Sequence, residues 1–448
     1  MKIVITSLLI WLPLHLSMAQ HVLQQYVEEG VANNLALQQE ELSLKKSIEV
    51  LQQAKANFLP QLSFEASYTA ASGGRTINFP VGDLFNPIHA TLNQITDSQN
   101  YPTDLENVNE QFLPNNFHDT RLSLRQPLLN TDIYYGYRAR QKMVKVQQAQ
   151  HDAYRQQLIK EIKSAYYDYL QSLELISVYD STELLLKELL RVNRVLVKND
   201  KATEEVIYEA EYELQNLFAQ SQTALQQSQA AKNYFNFLLN KELEAEIIVD
   251  KNLYDLPLLP KILEELQQSA LANRYELKQA EKGLLTTEAL LQLQKNKKLP
   301  QLSLGILSGY QGFGYSFDEN QDYVLAQFNL SVPIFSGGKI NSAKQEAQLQ
   351  LQSAQQQIAQ IESQIQLQVS HAYHQFRTAQ ASYTAKLRAV KSAEKSFEIT
   401  QTKYKLQQAL LLELLESRNR YTNAQLELVI ARYQWYKAEA MLEWAAQL

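Results

Sequence analysis

Apolar side chains recur at every second position in four short stretches of this chain, and at every third or fourth in several long ones. Leu62, Phe64, Ala66, Tyr68 and Ala70 share one face, with Ser63, Glu65, Ser67 and Thr69 opposite. Near the far end, Val324, Ala326, Phe328, Leu330 and Val332 alternate with Tyr323, Leu325, Gln327, Asn329 and Ser331. Period-two alternation predicts strands with one apolar and one polar face. The remaining two are expected at about 120–129, with Leu122, Leu124 and Leu128 against Arg121, Ser123 and Arg125, and at 300–313. By contrast, Leu158, Ile162, Ala165, Tyr169, Leu173 and Ile176 step by four and three, as do Ile358, Ile361, Ile365, Val369, Ala372 and Phe376. These predict coiled-coil-like helices. At ~1.5 Å per residue the run 137–198 would extend roughly 90 Å, a rod and not a bundle helix.

The order of these elements repeats. Leu59-Pro60-Gln61-Leu62-Ser63 and Leu299-Pro300-Gln301-Leu302-Ser303 each close a polar, Gln-rich helical run and open a strand. Proline is placed where a helix stops and extended chain begins. Each half therefore reads helix, strand, connection, strand, long helix, turn, helix. The first repeat is expected over 20–240, with strands at about 60–71 and 120–129, and the second over 261–448, with strands at about 300–313 and 322–333. Residues 241–260, carrying Pro257 and Pro260, read as a linker. Gly30 reads as the breaker of the first helical run. Residues 72–118, rich in Pro, Asn and Gly, read as a long external loop with little regular structure.

Composition narrows the setting. A formal charge of -6 gives no basic stripe for nucleic acid. The chain has no Cys, which removes disulfides, thiolate metal sites and a lipidated cysteine. Met1-Lys2, the apolar run from Ile3 to Leu16 and the small residues around Ala19 predict a signal peptide over 1–19. No later run has the ~18 apolar residues of a spanning helix, so a membrane crossing falls to the strands. Four strands leave two edges, which lipid does not tolerate, so several copies must share one barrel. Two copies give eight strands and a filled interior; three give twelve and a lumen.

The duplicated plan, the Leu-Pro-Gln-Leu-Ser motif at the first strand of each half, and the segment from Tyr404 through Ser417 resemble the TolC-type outer-membrane efflux protein family. That resemblance implies a mainly α protein with a transmembrane β-barrel: a homotrimer whose twelve-stranded barrel continues as a long periplasmic α-helical barrel. It implies a passive exit duct in the bacterial outer membrane. An inner-membrane RND or ABC-type pump would feed it through a periplasmic adaptor, with outer-membrane lipid around the barrel. Type I protein secretion is the alternative cargo route. The resemblance further assigns a periplasmic gate to Tyr404, Glu413 and Glu416, with Glu204 and Glu205 at the corresponding turn of the first half. Adaptor contact falls to the tip turns at Asn199, Asp200, Gln407 and Gln408. The family's latch arginine corresponds here to Ala409, and its tip glycines to Asn199 and Gln407. Asn accepts a left-handed backbone and Gln resists it, so the second tip is expected to be shaped differently.

Other chemistry is poorly supplied. His371 and His374 lie three apart on a helical run, yet no carboxylate stands at di-iron spacing. Tyr166, Tyr167 and Tyr169 read as seam-filling aromatics. There is no Gly-rich phosphate loop and no GxSxG, so no enzymatic activity, cofactor or metal is expected. A secreted coiled-coil protein without a pore is the rival from another class, and the one-sided strands oppose it.

Overall fold

The computed structural model describes residues 19–249 and 262–448. The signal-peptide reading, apart from Ala19, and Pro257 and Pro260 of the expected linker lie outside these residues. Nine helices and six strands follow in order among the described residues. They divide into a helical unit (19–48, 141–249, 262–287 and 350–448) and a strand-bearing unit (49–140, 288–349).

In the helical unit, α1 (Ala19–Asn33) and α2 (Leu35–Ala56) meet at Asn34. The break does not fall at Gly30. Gly30 stays inside α1, because any side chain there would run into Ile162 and Leu239. Asn34 is buried, donates to the Leu238 carbonyl (2.9 Å) and accepts the N–H of Leu37 (3.0 Å), which caps α2. The later pair, α6 (Leu263–Asn273) and α7 (Tyr275–Asn296), breaks at Arg274. That buried guanidinium donates to Glu276 (2.7 Å) and to the Ala445 carbonyl (3.1 Å), and lies 4.2 Å from the Trp444 ring. The long elements are α4 (Thr131–Lys198), α5 (Glu205–Leu238), α8 (Lys339–Lys405) and α9 (Leu411–Ala446). Neither proline nor a mid-helix break interrupts them. Their stripes form two large cores and two smaller clusters. One large core gathers Leu158, Ile162, Tyr166, Phe235 and Leu239; the other Ile365, Val369, Phe376, Trp435 and Leu442. Tyr166, Tyr167 and Tyr169 are all buried in the first. Residues 241–249 are pinned to it, since Tyr26 Oη accepts the Ile248 N–H (2.7 Å) and Asn236 donates to the Leu243 and Ala245 carbonyls (2.9 Å each).

The strand-bearing unit holds β1 (Gln61–Thr69), β4 (Phe117–Leu129), β5 (Gln301–Phe313) and β6 (Asp322–Ser331) in one antiparallel sheet, ordered β1-β4-β5-β6. The register aligns the apolar positions. Leu62 faces Leu124, Phe64 faces Leu122, Leu124 faces Ile306, and Leu304 faces Phe328. The opposite face is largely polar, with Leu307 and Leu325 as its apolar members. Across one row stand Glu65, Arg121, Gly309 and Tyr323. Arg121 donates to Glu65 (2.8 Å) and Asp119 (2.6 Å), and Tyr323 donates to Asp119 (3.2 Å). Gly309 is required there, because a Cβ would strike the backbone of Thr120 and Arg121.

The segment between β1 and β4 departs from the sequence expectation. It carries the hairpin β2 (Thr76–Phe79) with β3 (Val108–Gln111) and the helix α3 (Val81–Thr96). Its polar residues are structural: Asn side chains bond backbone amides and carbonyls, the ordering that Asn supplies where no apolar core exists.

Candidate functional site: the helix tips

Each long helix ends in the same turn. At the end of α4, Lys201 N–H reaches Leu196 O (2.9 Å) and Asp200 N–H reaches Val197 O (3.0 Å). At the end of α8, Gln408 N–H reaches Lys403 O (2.8 Å) and Gln407 N–H reaches Tyr404 O (2.9 Å). Both are Schellman turns with one left-handed residue, Asp200 (φ 55°) and Gln407 (φ 60°). Two expectations are thereby corrected. The left-handed residue of the first tip is Asp200, not Asn199; Asn199 caps the helix by donating to Val195 O (2.7 Å). The second tip also keeps the shape of the first. Two backbone hydrogen bonds outweigh the reluctance of Gln for that conformation, a cost of ~1–2 kcal/mol.

Behind the tips lies an apolar cleft walled by Leu186, Val192, Phe397, Tyr404, Leu414 and Arg418. Tyr404 is buried and donates to Asn193 Oδ1 (2.7 Å), while Asn193 Nδ2 donates to Val206 O (2.8 Å). One relay thus ties α8 to α4 and to α5. Burial pushes the Tyr404 hydroxyl above its usual range, so it stays a donor. Ala409 packs beside Phe397, Tyr404 and Leu414.

The sequence reading missed Arg418. It is 5% exposed and bonds Glu213 of α5 at 2.6 Å, with its Nε unpartnered. Burial lowers its pKa, and Glu213 opposes that shift. A signal was present: Arg418 continues the apolar steps Leu411, Leu414 and Leu415, a place where a charge needs a dedicated partner. Farther along, Thr182 and Thr422 hydroxyls meet at 3.3 Å, and a ladder of ion pairs joins α4 to α9. Its rungs are Glu174–Arg432 and Asp168–Lys437 (2.6 Å each) and Lys163–Glu443 (2.5 Å).

The acidic residues lie apart from this network. Glu413 and Glu416 are exposed one turn apart at the start of α9, and Glu413 accepts the N–H of Leu410 (3.2 Å). Glu204 and Glu205 are exposed at the start of α5. Both pairs flank a tip, and neither contacts Tyr404. His371 and His374 are exposed, and no group of three or more potential metal ligands occurs among the described residues. Nor is any described helix long and apolar enough to cross a membrane.

Two helical hairpins with like tips and a four-stranded sheet apolar on one face make up the described fold. Residues 266–446 match the model of the outer membrane efflux protein family. Over 96% of its length the chain is 22% identical to the outer membrane protein TolC of Salmonella enteritidis, covering 82% of that protein. It is 23% identical to the proteases secretion protein PrtF of Dickeya chrysanthemi, over 72% of this chain and 71% of that one. Among solved structures, the outer membrane protein VceC of Vibrio cholerae superposes with a TM-score of 0.75 at 16% identity, over 96% of this chain and 97% of that one. The chain thus resembles the TolC-like outer membrane efflux proteins.

Proposed function

We propose that this protein is the outer-membrane channel of a tripartite efflux system, a passive duct without catalysis. One observation carries the reading: a four-stranded sheet, apolar on one face and largely polar on the other, in which β1 and β6 each leave one edge unpaired among the described residues. Sharing those edges among three copies yields a twelve-stranded barrel with the Glu65–Arg121–Asp119 row facing the lumen. The helices then extend into the periplasm as a helical barrel, with the tips of α4–α5 and α8–α9 toward an adaptor and an inner-membrane pump. The segment 72–118 faces the cell exterior, since such barrels keep their longer loops outside. The matching tip turns and the paired breaks at Asn34 and Arg274 support descent of the two halves from one duplicated unit. Protein secretion is the second reading, favoured by the similarity to PrtF.

Mass measurement of the detergent-solubilised protein tests the assembly: three copies are expected, and a monodisperse monomer would sink the shared barrel. In planar bilayers, Glu413→Gln with Glu416→Gln lowers cation selectivity if a ring of six carboxylates lines the constriction. The difference shrinks at ~1 M salt, where the screening length is ~3 Å. Unchanged selectivity at low salt in a trimeric variant would remove these residues from the pore. Loss of the channel raises retained dye if the cargo is small, and depletes a secreted polypeptide from the medium if it is not.

A further inference from the structure

The helix between β1 and β4 is turned inside out. α3 directs its amides inward: Asn86 exchanges two hydrogen bonds with the backbone of Leu105 (2.9 Å each), and Asn93 does the same with Tyr101 (2.7 and 3.0 Å). Between them His89 Nδ1 donates to the Pro102 carbonyl (2.6 Å). Gly82 is buried where any Cβ would collide with the Leu105 carbonyl. A helix facing water places its apolar stripe inward and its polar residues outward. Here the outward stripe is Leu84, Ile88 and Ile95, exposed by 60%, 52% and 75%. Beyond Asp83 no residue of α3 carries a formal charge. An apolar stripe held outward by a fully bonded polar side marks a contact surface.

The rest of this unit indicates what it contacts. The sheet shows the same inversion, with Leu62, Phe64, Val324 and Phe328 outward. The strand ends from which the segment leaves, Thr69 and Phe117, carry a ring cluster: His118 to Tyr315 at 5.0 Å, Tyr310 to Phe317 at 5.3 Å, Tyr68 to Tyr315 at 6.1 Å. Such girdles mark the level where a membrane barrel meets water. We propose that α3 lies on the outer leaflet as an interfacial helix, its Leu84, Ile88 and Ile95 face entering the boundary of the acyl chains. The partner is a lipid surface, and the device anchors the external end of each protomer. No basic residue is needed on α3, because the strands already hold it at the membrane. The proposal rests on the outer-membrane reading above.

The chain has no Cys, so Leu84→Cys, Ile88→Cys and Ile95→Cys each carry one fluorophore per protomer in the full assembly. The labelled protein is reconstituted into vesicles whose lipids bear a spin-label quencher near the headgroup. Phe328→Cys reports the sheet face and Asn100→Cys an exposed position in the same segment. The three α3 probes are expected to lose most of their fluorescence, Phe328→Cys to be quenched by a deeper spin label, and Asn100→Cys to stay bright. If the sheet probe is quenched and the α3 probes are not, the lipid contact is refuted while the barrel stands. Disulfide trapping of Ile88→Cys between copies, with no quenching, assigns the stripe to a second copy and likewise overturns the proposal. An unquenched sheet probe refutes the membrane reading itself.

Discussion

Two phenylalanines show how differently the two units use the same chemistry. Phe235 in the helical unit is fully buried, its ring 5.1 Å from Tyr26 and 5.5 Å from Tyr166. Phe328 in the sheet is 68% exposed. In the helical unit apolar stripes turn inward and, apart from the buried Arg274 and Arg418, the paired charges sit toward the periphery, the pattern of a protein in water. In the sheet the charged residues pair with one another on one face and the hydrocarbon lies open on the other. The burial of a single chain therefore reports the solvent each unit is built for. Outward residues that are apolar in register across four strands are not built to face water.

The comparison predicts opposite behaviour for the two rings. Phe235→Ala empties a sealed site and should cost about 3–5 kcal/mol, read as a lower melting temperature in any detergent. Phe328→Ala should leave that melting unchanged. Equal losses at both positions would break the distinction. The exposed ring becomes critical when the substituent is charged: Phe328→Arg should cost about 2–4 kcal/mol near the middle of a bilayer. It should reduce assembly into vesicles while leaving the helices folded by circular dichroism. Normal insertion of this variant would place Phe328 away from lipid.

The charged residues inside the helical unit sharpen the contrast next. Glu213→Gln strands a guanidinium that is 5% exposed, whereas Arg418→Met strands a carboxylate whose side chain is 21% exposed. The first should therefore be worse, by about 2–3 kcal/mol against wild type, and the double variant should recover part of the loss. Additive single effects would show that the pair does not couple α5 to α9.

How much of this was legible in the sequence follows the same division. The strands and long helices were readable because their periods, two and three to four, are set by which side meets which solvent. What escaped was chemistry that periodicity does not encode. Residues 72–118 looked structureless because their order comes from Asn side chains bonding backbone, which read as loop composition. Gly30 looked like a breaker, yet it serves close approach to Ile162. The tips were located, but the left-handed residue was misplaced at Asn199 because residue preference was weighed there and the backbone hydrogen bonds were not visible. Arg418 gives no signal of its own beyond an apolar position held by a charge, and its partner Glu213 is distant in sequence.

The smallest predicted effect is a titration at the α4–α9 seam. Glu439 faces Glu443 on its own helix and Lys163 and Tyr167 on α4. Burial raises its pKa from 4.5 to about 7; Glu443 adds to the rise and Lys163 opposes it. The folded protein thus holds this proton more tightly than the unfolded chain does. The resulting stability is complete below pH 4.5 and is lost as pH climbs through about 7. Because Glu439 is only partly buried, solvent reduces the effect to about 1–2 kcal/mol. Glu439→Gln should therefore melt higher than wild type at pH 8, match it near pH 5, and flatten the slope between. A variant with the wild-type slope would show that Glu439 is ionised throughout, held charged by Lys163 in spite of its burial.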